Sequence, residues 1–326
     1  MLRKTIRRIF ASEYLVLYLC LVYFAVMAFI EPIFATGENM ANIFANMLPL
    51  LIIAAGQTVV LITGGIDLSV TSIVAVCSIV GASLITADGG VLSGVPLGVP
   101  LTFAAMFLIG IILGWFNGVA ITKFGMPPFI VTLTMMMGVS GFAIWYSRSL
   151  PIYNLPDAFV MFGRDSVFFI PYAAFIVFII LWILHLVLSR TLFGRWVYAV
   201  GMNAKAARIS GVPVHRTIIR VYIISAVCGV IGAILLTGRL ETGSPVMARN
   251  MFLDVVGAAV LGGTSLFGGK GKIVWTVFGV LFITLIDNSL NLIGMSYFTI
   301  MIVKGAIILL AAFIDAIRNR LLAVRA

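Results

Sequence analysis

The chain is 326 residues long, 62% hydrophobic and only 10% charged, with a formal net charge of +10 and a mean hydropathy of +1.20. Soluble domains carry roughly 25% charged residues, so one globular core cannot hide this much apolar surface and a bilayer must solvate it. The basic residues are scattered between apolar runs joined by short loops, which argues against a nucleic-acid-binding domain and for lipid headgroups and membrane topology.

In chain order the apolar runs predict about ten membrane helices, each near the roughly 20 residues that a crossing needs. They cover 14–33, 47–64, 69–87, 97–121, 128–147, 168–188, 216–238, 251–267, 273–292 and 297–317. The expected fold is an all-α polytopic membrane protein, a single transmembrane domain over 1–326. The first run follows Arg3, Lys4, Arg7 and Arg8 as a secretory signal would. It exceeds the roughly 7–15 residues of a signal core, so it reads as an uncleaved first helix. The eighth is short and glycine-rich and need not cross as one straight helix. Cys20, Cys77 and Cys228 lie inside apolar runs without metal-ligand spacing and read as small buried hydrophobes, with no metal site.

Lysine and arginine placement orients this array. With the amino terminus inside, the cytoplasmic segments hold Arg3, Lys4, Arg7, Arg8, Lys123, Arg190, Arg195, Lys205, Arg208, Arg216, Arg220, Lys270, Lys272, Arg318, Arg320 and Arg325. The outer loops hold Arg148, Arg164, Arg239 and Arg249, and Lys304 lies within the last run. A bias of roughly fourfold satisfies the positive-inside rule, and an even helix number puts both termini in the cytoplasm.

The segment 190–220 is a basic island between two apolar runs, with no acidic residue. Merely sitting in a bilayer does not require it; being gripped by a soluble partner does. Asn203 can cap a short helix, Ala204, Ala206 and Ala207 make that helix slim, and Gly211 and Pro213 end it. Lys205 and Arg208 would be its exposed contacts; taken singly, either charge also serves topology or lipid binding.

Two hairpins share a design, VLITGGIDLSVTS at 60–72 and AVLGGTSLFGGKG at 259–271. Each apolar run ends in a Gly-Gly pair (Gly64–Gly65, Gly262–Gly263), turns tightly and launches another run; Gly268 and Gly269 serve the second turn. Asp67 and Ser69 can cap the third helix. The segment 264–272 fails as a phosphate-binding loop at Thr264 and Gly271, where glycine and a magnesium-holding hydroxyl are required. If ATP drives this protein, another chain binds it.

Charges and amides inside apolar runs need partners. Lys304 and Asp287 fall at similar depth on antiparallel helices and can form an ion pair. Asn46, Gln57, Thr58, Asn117, Thr132, Thr134, Ser140, Asn288 and Asn291 are candidates for a polar solute path, each equally suited to ordinary interhelix hydrogen bonding. GVSG at 138–141 has the form of an intramembrane serine protease motif, with His185 in another run. Helix depth separates Ser140 and His185 by more than about 10 Å at 1.5 Å per residue, too far for a nucleophile and its base. A passive channel or ion-coupled carrier would not need the basic island.

GGIDLSV at 64–70, NGVAITKFGMPPFIVTL at 117–133, FGRWVYAVGMNAKAARISGV at 193–212, LDVVGAAVLGGTSLFGGKG at 253–271 and VKGAIILLAA at 303–312 occur in this order. Together they resemble the permease subunits of bacterial ATP-binding-cassette importers for monosaccharides, over about residues 40–317. The resemblance implies an inner-membrane permease that pairs with a second copy or a homologous permease. Its further partners would be cytoplasmic ATPase subunits, which carry ATP and magnesium, and a periplasmic sugar-binding protein. It also implies that the 203–211 segment is the coupling helix. Thr71, Thr134, Ser140 and Phe252 depart from the family pattern, altering membrane positions while leaving the cytoplasmic motifs intact. A non-sugar small polar solute is the alternative cargo.

Overall fold

A computed structural model describes residues 15–168 and 170–323; Arg3, Lys4, Arg7, Arg8 and Arg325 lie outside them. Among the described residues the chain forms twelve α-helices. They are α1 (Leu15–Ile30), α2 (Gly37–Ile62), α3 (Val70–Ile85), α4 (Gly98–Lys123), α5 (Pro128–Tyr146), α6 (Asp157–Arg164), α7 (Tyr172–Arg190), α8 (Leu192–Ile209), α9 (Val214–Leu240), α10 (Phe252–Leu261), α11 (Ile273–Leu292) and α12 (Tyr297–Ala323). A two-residue antiparallel pair, β1 (Ser166–Val167) with β2 (Ile170–Pro171), leads into α7.

Six helices, α2, α4, α5, α7, α9 and α11, are long and apolar enough to cross a membrane. Four shorter apolar stretches, α1, α3, α10 and residues Tyr297–Leu310 of α12, occupy the other expected runs. The eighth expected span stops at Leu261 after 10 residues, about 15 Å of helix against a hydrocarbon layer of roughly 30 Å. Glycine explains the stop: Gly262 N–H closes the last turn on Ala258 O at 2.9 Å, and Gly263, at φ +104°, turns the chain away.

Helix α2 begins ten residues before the expected 47. Its first turns carry Glu38, Asn39, Asn42 and Asn46, which hide them from a search for apolar runs. They are helical because Thr36 Oγ1 accepts from Asn39 N–H at 3.4 Å, an N-cap. Pro49 sits inside α2 without ending it.

Helices α2 and α9 form the centre. From Met47 to Ile62 every residue of α2 is buried, so this helix meets protein on all sides. Small residues set the approach of its neighbours. Gly110, Gly114 and Gly118 make a ridge on α4, where added Cβ atoms would collide with Val230, with Tyr222 O at 2.7 Å and with Ile219 Cα at 2.6 Å on α9. Gly56 of α2 likewise faces Cys228 Cβ at 2.7 Å. Within a bilayer apolar burial does not favour protein over lipid, so such close backbone packing carries the association. At the far end of α9, Arg164 gathers Asp157, Asp165 and Glu241 at 3.1, 2.8 and 3.6 Å. These carboxylates hold the exposed guanidinium pKa above its usual value, the hydrogen bonds Arg164 donates to Asp165 and Asp157 leading.

Candidate functional site

The loop end of α2, helix α8 and the second hairpin meet backbone to backbone. Ile62 O accepts from Gly269 N–H at 2.8 Å. Gly201 of α8 is wedged against the same pair: a Cβ there would overlap the Ile62 carbonyl and stand 2.6 Å from Gly269 N. A Cβ on Gly268 would lie 2.8 Å from Gly201 O and 2.9 Å from Gly64 N. Tyr198 OH donates to Gly271 O at 2.7 Å, tying α8 to the hairpin a second time. Gly65 and Gly262 are confined in the same way, by Tyr222 OH at 2.8 Å and by Trp275 O.

Inside this junction the 64–69 loop is fixed by a buried polar node. The Asp67 carboxylate accepts from Ser69 N–H at 3.0 Å, Ser69 Oγ at 2.6 Å and Ser225 Oγ of α9 at 2.9 Å. Thus Asp67 performs the capping at the start of α3, while the Ser69 side chain makes no cap bond. Asn117 Nδ2 of α4 donates to Ser69 Oγ at 2.8 Å. Thr132 of α5 and Tyr222 of α9 both donate to Ile66 O at 3.2 Å. With its amide oriented to suit, Gln57 of α2 spans the Asp67 backbone, donating to its O at 3.1 Å and accepting from its N–H at 3.2 Å. Four membrane helices therefore hold one loop. Burial pushes the Asp67 carboxyl pKa up, and the bonds from Ser69 and Ser225 oppose the shift.

On the outer side of the junction, Asn203 leaves helical geometry (φ −163°, ψ 102°) and breaks α8 in two. Its Oδ1 accepts from Lys205 and Ala206 N–H, both at 3.0 Å, which caps the short 204–209 helix. Gly211, at φ +82°, ends it: Gly211 N–H reaches Arg208 O at 3.1 Å and Val212 N–H reaches Ala207 O at 3.0 Å, a Schellman closure. Ala207 is the buried anchor, packed in a small cluster with Val200, Val212 and Val214. Lys205, Ala206 and Arg208 are exposed, and Arg208 Nη2 lies 3.1 Å from His215 Nε2. The result is a rigid, slim, basic helix standing off the bundle.

Lys304 is paired twice, with Asp287 Oδ1 at 3.1 Å and with Asp254 Oδ2 at 2.9 Å. Sequence reasoning missed Asp254, although it carries the signal that exposed Lys304, a charge in an apolar run. The candidate path residues separate into two sets. Gln57, Asn117 and Thr132 belong to the polar node. Thr58 Oγ1 meets Thr276 Oγ1 at 2.6 Å, and Asn288 exchanges two amide bonds with Asn39, both at 2.9 Å. Asn46, Thr134, Ser140 and Asn291 stay exposed or half-exposed. Of these, Thr134 lines an apolar cleft of about 870 Å³ between α3, α4 and α5. Among the described residues, no cluster of three or more His, Cys, Asp or Glu could hold a metal.

A helical membrane bundle with a capped basic helix mounted on interlocked hairpins matches a family of permeases. The chain belongs to the family described as branched-chain amino acid transport system / permease component, which matches residues 39–312. It is 38% identical over 295 residues to the ribose import permease protein RbsC of Bacillus subtilis, covering 89% of this chain and 88% of that one. To the ribose import permease of Escherichia coli K12 it is 34% identical over 317 residues, 95% and 96% of the two chains. The L-arabinose transport system permease protein AraH of the same strain is 33% identical over 309 residues, 95% of this chain and 92% of that one. No solved structure matches.

Proposed function

We propose that this chain is the membrane-spanning subunit of an ATP-driven importer that moves a monosaccharide into the cytoplasm by alternating access. Relatives named for ribose and L-arabinose support the sugar class. The reading places the protein in the bacterial inner membrane with about ten membrane segments, α10 making only a partial crossing, and both termini inside on the positive-inside bias. ATP hydrolysis belongs to separate cytoplasmic ATPase subunits, capture to a periplasmic binding protein, and the gate to a pair of permeases.

One observation carries this reading: the basic helix from Asn203 to Gly211 is capped at both ends, exposed, and joined through Gly201 to both hairpins. A push on that helix reaches Ile62 of α2 and the α10–α11 turn without passing through a flexible linker. Thr58 and Asn288 are committed to bonds between helices, and Gln57, Thr132 and the Nδ2 of Asn117 to bonds with the 64–69 loop. Asn46, Thr134, Ser140 and Asn291 are therefore the polar groups proposed to meet the solute. Replacing residues 204–208 with a charge-reversed sequence tests the coupling role in proteoliposomes carrying the whole transporter. Uptake should fall at least tenfold with the subunit still in the membrane; unchanged uptake would contradict the assignment.

A further inference from the structure

Phe267 is 87% exposed, yet it sits on a turn with little freedom. Ser265 N–H bonds Lys270 O at 3.0 Å, Gly268 N–H bonds Ser265 O at 3.3 Å, and Phe267 N–H bonds Ser265 Oγ at 3.2 Å. Gly269 is fastened to Ile62. A loose loop would fold its aromatic ring back onto apolar neighbours. This turn holds the ring out, with exposed Leu266 beside it.

The neighbours of the turn belong to the basic helix. Met202 immediately precedes the Asn203 cap, is 77% exposed, and has its Cγ 3.0 Å from where a Gly269 Cβ would stand. Exposed Met202, Leu266 and Phe267 thus stand on pieces of chain that Gly201 locks to the helix bearing exposed Lys205 and Arg208. Lipid is a poor occupant for this surface. Between the turn and α11, the Lys270 and Lys272 ammonium groups lie 5.9 and 4.5 Å from the centroid of the Trp275 ring. Trp275 itself is buried, so the lysine ammonium groups mark the end of the hydrocarbon, and the turn lies beyond them along the chain.

We infer that the 265–269 turn is a second docking contact for the ATP-hydrolysing subunit that the Asn203–Gly211 helix engages, with Phe267 as its apolar knob. The inference rests on the coupling reading above. The matching partner surface is an acidic groove for the helix with an apolar socket at its rim. Aromatic anchors beside charged contacts are the usual composition of such interfaces. Two contacts on one locked unit resist twisting, which a single short helix would not.

The native cysteines Cys20, Cys77 and Cys228 are all buried, so an introduced surface thiol can be labelled selectively. Phe267→Cys and Lys205→Cys permeases, each reconstituted in nanodiscs, would be treated with a maleimide with and without the ATPase subunit. Binding of the ATPase subunit to Phe267→Ala would be measured in parallel. The inference expects at least tenfold slower labelling at both positions when the subunit is bound, and at least tenfold weaker binding of Phe267→Ala. Protection at 205 alone overturns the second contact and leaves the coupling helix intact. Protection at 267 alone keeps the turn as a dock and overturns the coupling helix. Protection at neither overturns both. If the thiol of Phe267→Cys is already unreactive before the subunit is added, the knob lies in lipid, which also overturns the inference.

Discussion

Gly201 of α8 lies so close to Ile62 of α2 that a single added methyl group would overlap the Ile62 carbonyl oxygen. Gly201→Ala should cost about 1–3 kcal/mol, the ordinary penalty of overpacking, because the obstruction is backbone and cannot swing aside. In the full transporter the variant should hydrolyse ATP while moving sugar at least tenfold more slowly. Parallel assays of ATPase activity and uptake check this, and equal rates of uptake would remove Gly201 from the coupling route.

The Asn203 cap allows a graded test. Asn203→Ala should destabilise the 204–209 helix by about 1 kcal/mol, whereas Asn203→Asp or Asn203→Ser should retain most of the cap. Uptake per ATP hydrolysed should follow that order, with alanine lowest.

Lys304 stands between two carboxylates, so the choice of partner matters. Truncating it to methionine leaves Asp254 and Asp287 facing each other and should cost roughly 3 kcal/mol or more, read as a lower detergent melting temperature. Lys304→Asp with Asp254→Lys should recover most of that loss, since the new lysine can still serve both acids. Poor recovery would show that direct bonding at 2.9 Å is not what holds α10 against α12.

The polar node predicts a pH effect. The Asp67 carboxyl is pushed upward by burial, so between its unfolded pKa and its raised folded pKa the folded state binds more protons. Its contribution to stability therefore falls as pH rises through that window and is greatest below it. Asp67→Asn should flatten this dependence while keeping the loop bonded, whereas Asp67→Ala should cost about 1–3 kcal/mol by leaving the Ser69 and Ser225 hydroxyl protons without their acceptor. Thermal unfolding followed as a function of pH separates the three proteins.

Much of the architecture was legible in the sequence because lipid demands long apolar helices, and α4, α5, α9 and α11 fall within two residues of the expected bounds. The Asn203 cap and Gly211 stop were legible too, since both are local chemistry. Helix α6 and the early turns of α2 were not, because α6 has only eight residues, too short an apolar run to read as a span, and the first turns of α2 carry polar residues. The polar candidates show a different limit. Gln57 and Asn117 look like solute ligands in one dimension, but their partners Asp67 and Ser69 sit on the loop that joins α2 to α3. Only the folded chain reveals that both Gln57 polar atoms and Asn117 Nδ2 are already bonded, while Asn117 Oδ1 is buried without a partner.

Burial of α2 from Met47 onward has a mechanical meaning. The mast of this molecule is sheathed by its own neighbours, and its lower end is where the external helix and the second turn are moored. Under the proposed coupling, work delivered there enters a rod sheathed by protein rather than by fatty acids.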